Sequence, residues 1–287
     1  MNASKPKKQH YVPCSYLARF SPQTTGDLRK RRVLRTDSRI ANRPVAVDTQ
    51  CVKEFYYEEE DVQSVEDDLR HLEDALQRIT KECLDGMPNK GTLRLLTLQH
   101  AFMFSRGEAI ENSSEVTKFG AYNMAANMLL ANYFYNKPVL HILDDALKTY
   151  VYENYRSIVL KSPSESLITS DNPVVVFQSN DEQLAALSIM PLTSHRLSVV
   201  YHRDYVRAKQ TSLTKEDVGG LNALQSINSH EAIFSYDELS ERDVIGARNC
   251  FGKRRNPRGV VSSEGIFFDL PLVSTVRDKL SFIREVY

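Results

Sequence analysis

Leu167-Ile168-Thr169-Ser170-Asp171-Asn172-Pro173-Val174-Val175-Val176-Phe177 reads as two short strands folded around a rigid polar turn. The flanking runs carry β-branched and large apolar residues, which favour a pleated, half-buried surface. Between them Ser170, Asp171 and Asn172 can each bond nearby backbone, and Pro173 fixes its own φ. Outward from this turn the texture stays the same. Ser157–Leu160, Leu187–Leu192 and Leu197–Tyr201 are further Val-, Ile- and Leu-rich runs, and Ala232–Tyr236 returns as another strand. These short runs predict a mostly antiparallel sheet. Gly265–Leu270 adds a late strand, preceded by a loop with Lys253, Arg254, Arg255 and Arg258.

A helix is expected from Thr214 to Ser229, with Asp217 three residues after Thr214 as a variant of the capping box. Upstream lies a helical middle. Val65, Leu69, Leu72, Leu76, Ile79 and Cys83 recur at steps of four and three, with acids crowding the first turns where the helix dipole favours them. Gly86, Pro88 and Gly91 end that helix, and a more uniformly apolar one runs from Thr92 through His100 to near Arg106. Residues 115–135 and 139–150 give a third and a fourth helix.

The chain start is unusual. Gln9-His10-Tyr11-Val12-Pro13, followed by Tyr16, Leu17 and Phe20 at helical spacing, predicts a terminus tied into the core, although termini are usually frayed. Asp27–Arg43 reads as a hairpin with Arg29, Lys30, Arg31, Arg32, Arg35 and Arg39 largely solvated, and Gln50–Tyr57 as another strand. The expected fold is one α+β domain over residues 1–287. Its mostly antiparallel sheet comes from the N-terminal and C-terminal segments (28–57 and 155–270), and its helical subdomain of about four helices spans 62–150.

Composition narrows the function class. Hydrophobic residues at 41% and charged residues at 26% of 287 are ordinary for a globular protein. The formal net charge is +0, so no whole-molecule field steers it toward nucleic acid or membrane. Charge is unevenly placed, however: residues 1–53 hold twelve Lys or Arg against Asp27, Asp37 and Asp48, while Glu54–Asp74 is strongly acidic. No run approaches the roughly 18 apolar residues of a membrane span, and the start lacks a signal-peptide core. A cytoplasmic protein without membrane contact is expected. Cys14, Cys51, Cys83 and Cys250 are far apart, which indicates neither a zinc knuckle nor a disulfide framework. Walker A, Rossmann, G-x-S-x-G and H-E-x-x-H patterns are absent. Asp67-Asp68 and Asp144-Asp145 read as solvated helix faces, His141 as boundary packing, and His195 and His202, seven apart, as residues on opposite strand faces.

His10-Tyr11-Val12-Pro13 with Tyr16, Leu17 and Phe20, Thr169-Ser170-Asp171-Asn172-Pro173, and Pro191-Leu192 occur in one order along the chain. Together they resemble a large, mainly bacterial family catalogued as domain of unknown function 4238, and the resemblance spans nearly the whole chain. Phe55-Tyr56, Arg106 and Asn222 also stand where that family tends to place such residues. Thr193 replaces the Ser often found after Pro-Leu and keeps a hydroxyl, whereas Gly107-Glu108 replaces a common Thr-Pro after Arg106. The resemblance implies a fold and a site, and no activity.

The expected site has His10, Arg106 and Asp171 as a proton carrier, an anion holder and an acidic partner. With an unperturbed pKa of about 6.5, a histidine moves protons near neutrality. Tyr11, Gln9, Ser170, Asn172, Asn222, Arg29 and Arg31 are the expected substrate-binding residues, the basic ribbon among them being suited to a phosphate backbone. Asp171 could also hold a divalent metal, although no ligand set is assigned. Such a site suits a bacterial enzyme acting on nucleic acid or nucleotide phosphodiesters, a nuclease of a defence or toxin system. Two alternatives stand beside it. One is a non-enzymatic binding module in which both motifs brace the sheet; the other is a nucleotide-dependent group transferase with His10 and Tyr11 cradling the cofactor. No protein partner is assigned.

Overall fold

The apolar runs beyond Tyr155 become the centre of the molecule. The computed structural model describes residues 8–54, 62–85, 90–105, 153–178, 185–209, 212–251, 261–262, 265–266 and 279–285. In chain order the first elements are β1 (Lys8–His10), α1 (Cys14–Leu17), β2 (Arg32–Asp37), β3 (Arg43–Ala46), β4 (Val52–Glu54), α2 (Val62–Asp85) and α3 (Lys90–Ser105). Then follow β5 (Tyr155–Lys161), β6 (Thr169–Ser170), β7 (Val175–Gln178), β8 (Ala185–Thr193), β9 (Arg196–His202) and β10 (Val206–Ala208). The last are α4 (Lys215–Asn228), β11 (Ala232–Ser235), α5 (Glu241–Cys250), β12 (Val261–Ser262), β13 (Gly265–Ile266) and β14 (Ile283–Glu285).

Two antiparallel four-stranded sheets, ordered β5-β9-β8-β7 and β3-β2-β11-β6, carry the architecture, which is α+β as the sequence predicts. Side chains alternate across a strand, and in the first sheet both faces are covered. Val159, Val176, Met190 and Val200 pack with Tyr16, Phe20, Leu96 and Phe102. Their neighbours Leu160, Val175, Ile189 and Val199 pack with Val218, Leu221 and Leu224 of α4. Burial on both faces explains why these strands read as continuous apolar runs rather than alternating ones. In the second sheet β11 places Phe234 opposite Arg35 of β2 and opposite Thr169 of β6, so N-terminal and C-terminal segments share one sheet.

The stripe on α2 buries Leu76, Ile79 and Cys83, as its spacing requires. Several local expectations change. The opening helix is only one turn, Cys14–Leu17, and tightens into a 3₁₀ turn over Ala18–Phe20. Pro13 precedes it with extended ψ, and Ser21 ends it with β dihedrals. Arg31 and Arg35 are part-buried rather than solvated; Arg35 donates to Asp37 Oδ2 (3.0 Å) and Gln50 Oε1 (2.8 Å). The strand expected from Gln50 begins at Val52, because Cys51 adopts φ 53°, outside any β conformation. Helix α5 and strand β14 have no counterpart in the sequence reading. The helices expected at 115–135 and 139–150, with Phe55-Tyr56, Arg106, His141 and Asp144-Asp145, lie outside the described residues.

Candidate functional site

The turn between β6 and β7 is sealed. Asp171 is 2% exposed, and its carboxylate accepts three successive backbone N–H groups, from His230 (2.8 Å), Glu231 (2.6 Å) and Ala232 (3.2 Å). Burial pushes its carboxyl above the ordinary range, while those amides and the nearby His230 hold it down. Ser170 and Asn172 are equally buried. The Ser170 hydroxyl lies 2.8 Å from Asn172 O and 3.0 Å from Gln225 Oε1, donating to one at a time.

One face of α4 supplies the rest of the brace. Asn222, Gln225 and Asn228 recur every three residues and so lie along one side of the helix. Asn222 accepts from Ile168 N (3.0 Å) and donates to Ser166 O (3.1 Å); Gln225 donates to Pro173 O (2.8 Å). Asn228 Nδ2 donates to Asn172 O (2.6 Å) and Val174 O (2.9 Å), and Asn172 Nδ2 donates back to Asn228 O (3.1 Å). Of these three amides only Asn222 stands out from the sequence, as a substrate-binding candidate; Gln225 and Asn228 were signalled by nothing but their three-residue period. Every carboxamide in the set donates to a backbone carbonyl, which is the chemistry of a clamp.

The N-terminal segment does return to this turn. His10 of β1 stands opposite Val52 of β4, and Tyr11 N donates to Cys51 O (3.0 Å). Tyr16 OH donates to Pro191 O (2.7 Å) and accepts from Thr169 Oγ1 (2.8 Å), joining the opening motif, the turn motif and Pro191-Leu192 in one buried contact. Cys51 sits between the motifs: burial pushes its thiol well above the ordinary range, with the Asp171 charge adding to the rise and the Tyr11 side chain opposing it. His10 lies on the outer side of this arrangement, half-buried, with Nε2 2.9 Å from Cys14 Sγ and 3.2 Å from Asp48 O. Burial pushes the Cys14 thiol up to about 12, with help from Glu73 and Asp48 and against Arg29. Cys14 is therefore a neutral thiol at physiological pH, and a poor nucleophile.

The three motifs thus meet around Tyr16 and Cys51, and the chain carrying them matches the model of a family described as protein of unknown function (DUF4238) over residues 8–238. The chain belongs to the DUF4238 family. The match takes in His10, both four-stranded sheets and the α4 clamp, and it stops before α5 and β14. No curated protein and no solved structure matches the chain.

Among the DUF4238 residues expected at the site, His10 and Asp171 fall into different settings. All hydrogen bonds of the Asp171 carboxylate go to residues 230–232, and His10 bonds Cys14 and Asp48. Tyr11 is buried beside Cys51; Gln9 lies in β1 opposite Lys53; Arg29 is exposed and Arg31 part-buried on the outer basic segment. The main chain that Asp171 grips forms the rim of a polar hollow of about 450 Å³, where Arg35, Arg39 and His230 face Asp37 and Glu231. Among the described residues no three His, Cys, Asp or Glu side chains are grouped to hold a metal, and no helix is long and apolar enough to cross a membrane.

Proposed function

We propose that this DUF4238 protein acts on a nucleotide or nucleic-acid phosphodiester at its basic N-terminal face, with His10 as proton carrier and Arg29 and Arg31 as anion holders. One observation carries the reading. His10 is half-buried and bonded to Cys14, and the charge of Arg29 biases the same thiol, so an imidazole and a guanidinium both bear on Cys14 at the edge of a segment where Arg29, Lys30 and Arg32 are exposed. A guanidinium holds phosphate charge, and a histidine near neutrality can move the proton that phosphodiester cleavage requires. The expected context is a nuclease-like reaction in the cytoplasm of a bacterium, as in defence or toxin systems.

The test is cleavage of labelled single-stranded oligonucleotides by the full chain and by His10→Gln. General acid–base catalysis contributes about 10²–10⁴-fold, so that variant should lose about a hundredfold or more with its melting temperature kept. Undiminished cleavage would refute the role of His10. A second reading is favoured by the Asp171 carboxylate, whose bonds all go to backbone: a non-enzymatic binding module in which both motifs are braces. That reading predicts oligonucleotide binding with no turnover in any variant.

A further inference from the structure

We propose that the cleft between α1 and α2 is a seat for a terminal phosphate or pyrophosphate group. The cleft is about 690 Å³, within the size range of small-ligand sites. Arg19 and Arg31 line one wall, and Thr80, Arg78 and Lys81 of α2 line the other. Asp74 is the single carboxylate of the lining, so four cations against one anion leave three positive charges uncompensated, in a chain whose formal net charge is +0.

Among the described residues, two of those cations have no carboxylate partner. Arg19 projects from the one-turn opening helix and its 3₁₀ extension, donates Nη1–H to the neutral Thr80 Oγ1 (3.0 Å), and lies 5.9 Å from the Tyr16 ring centroid. No carboxylate pairs with it among the described residues, and desolvation lowers it to about 10, so it stays charged at neutral pH. Arg31 donates Nη2–H to Thr24 O (2.8 Å), but its Nε–H is buried with no acceptor among the described residues. A buried donor without an acceptor is unfavourable, which makes an anionic acceptor welcome there. Across the cleft Arg78 and Lys81 are exposed and three residues apart, so their side chains rise from one side of α2. Planar guanidinium donors that are already fixed and partly dehydrated suit phosphate oxygens better than a solvated lysine patch does.

The assignment rests on the preceding reading for the identity of the ligand, a nucleotide or a nucleic-acid end, and not for the anion seat itself. The experiment is calorimetric titration of the full chain with pyrophosphate, alongside fluorescence anisotropy with 3′-labelled single-stranded oligonucleotides bearing a 5′-phosphate or a 5′-hydroxyl. The double variant Arg78→Ala with Lys81→Ala keeps the buried contacts of Arg19 and should fold. Pyrophosphate should bind the wild type and bind the double variant about tenfold or more weakly, the equivalent of about 1.4 kcal/mol. The 5′-phosphate should be preferred by the wild type alone. Absence of pyrophosphate binding, or equal binding by the double variant, would overturn the seat. If pyrophosphate responds to the substitutions while neither oligonucleotide binds, the seat stands and the nucleic-acid reading falls. If oligonucleotides are bound and cleaved through His10 with the double variant indistinguishable from wild type, the reading stands and the seat falls.

Discussion

Three amides in a row point at one carboxylate at Asp171, and that geometry assigns the residue to stability. Removing the carboxylate leaves the N–H groups of His230, Glu231 and Ala232 without their acceptor, the last of them in a buried residue. At about 1–3 kcal/mol for each unmatched buried group, Asp171→Ala should cost about 3 kcal/mol or more in a urea melt, and an unchanged midpoint would refute the brace. Tyr16→Phe is the smaller version of the same experiment. It strips one hydroxyl from between Thr169 Oγ1 and Pro191 O and should cost about 1–3 kcal/mol. His100 gives a pH signature. It is buried against Ser188 and Ser198, and burial lowers it to about 3. With an unfolded value of about 6.5, the unfolded chain binds the extra proton first, so stability is complete above that pH and falls as pH drops toward 3. The loss is at most about 1.4 kcal/mol per pH unit, and His100→Gln should flatten denaturation midpoints between pH 6 and 4 relative to wild type. At this scale the sequence shows residue types more readily than partners. Asp171 was visible as a rigidly placed acid, but its partners are main-chain amides, which leave no mark in a sequence. Arg19 was invisible for a related reason, since a lone arginine in an apolar turn resembles any snorkelling side chain.

Helix α4 ties two distant parts of the chain together by its ends as well as by its amide face. Thr214 Oγ1 accepts from Asp217 N, and Asp217 Oδ2 accepts from Thr214 N (2.9 Å), closing the capping box expected from the sequence. The same carboxylate accepts from Ser281 N (2.7 Å) and Ser281 Oγ (2.7 Å), so the cap also anchors the segment before β14. A lost cap alone costs about 1 kcal/mol, and Asp217→Ala should exceed Thr214→Ala because it also releases Ser281; equal losses would show that the anchor contributes nothing. Elements with an apolar stripe or an unbroken apolar run were legible: α2 by its stripe, and α3 and the segments that became β5, β7, β8 and β9 by their runs. Helix α5 was not, since it buries only Val244 and Ala247, too few to make a stripe. Its cap was readable in retrospect, Ser240 accepting from Asp243 N at 3.2 Å. The opening helix was overread because Tyr16, Leu17 and Phe20 keep helical spacing through a 3₁₀ turn as well as through an α-helix.

Across the whole molecule, neutrality hides a segregated charge. Residues 1–53 hold twelve Lys or Arg against three Asp, a basic stretch of sequence that the acidic segment Glu54–Asp74 after it balances within the same chain. Long-range attraction of a polyanion to the molecule is therefore weak, and any affinity has to arise locally, where the basic segment meets the uncompensated cleft. This makes salt dependence a sharp discriminator. Each phosphate neutralised on a single strand contributes about −0.7 to the slope of log affinity against log salt. The surplus of three cations at the cleft predicts a slope near −2 for a 5′-phosphorylated oligonucleotide, shallower than a wholly basic protein would give. Anisotropy titrations across a series of sodium chloride concentrations would measure it. A slope near zero would mean that whatever this DUF4238 protein holds is not recognised by its phosphates. A slope far steeper than −2 would mean that the exposed Arg29, Lys30 and Arg32 add contacts of their own to those of the cleft.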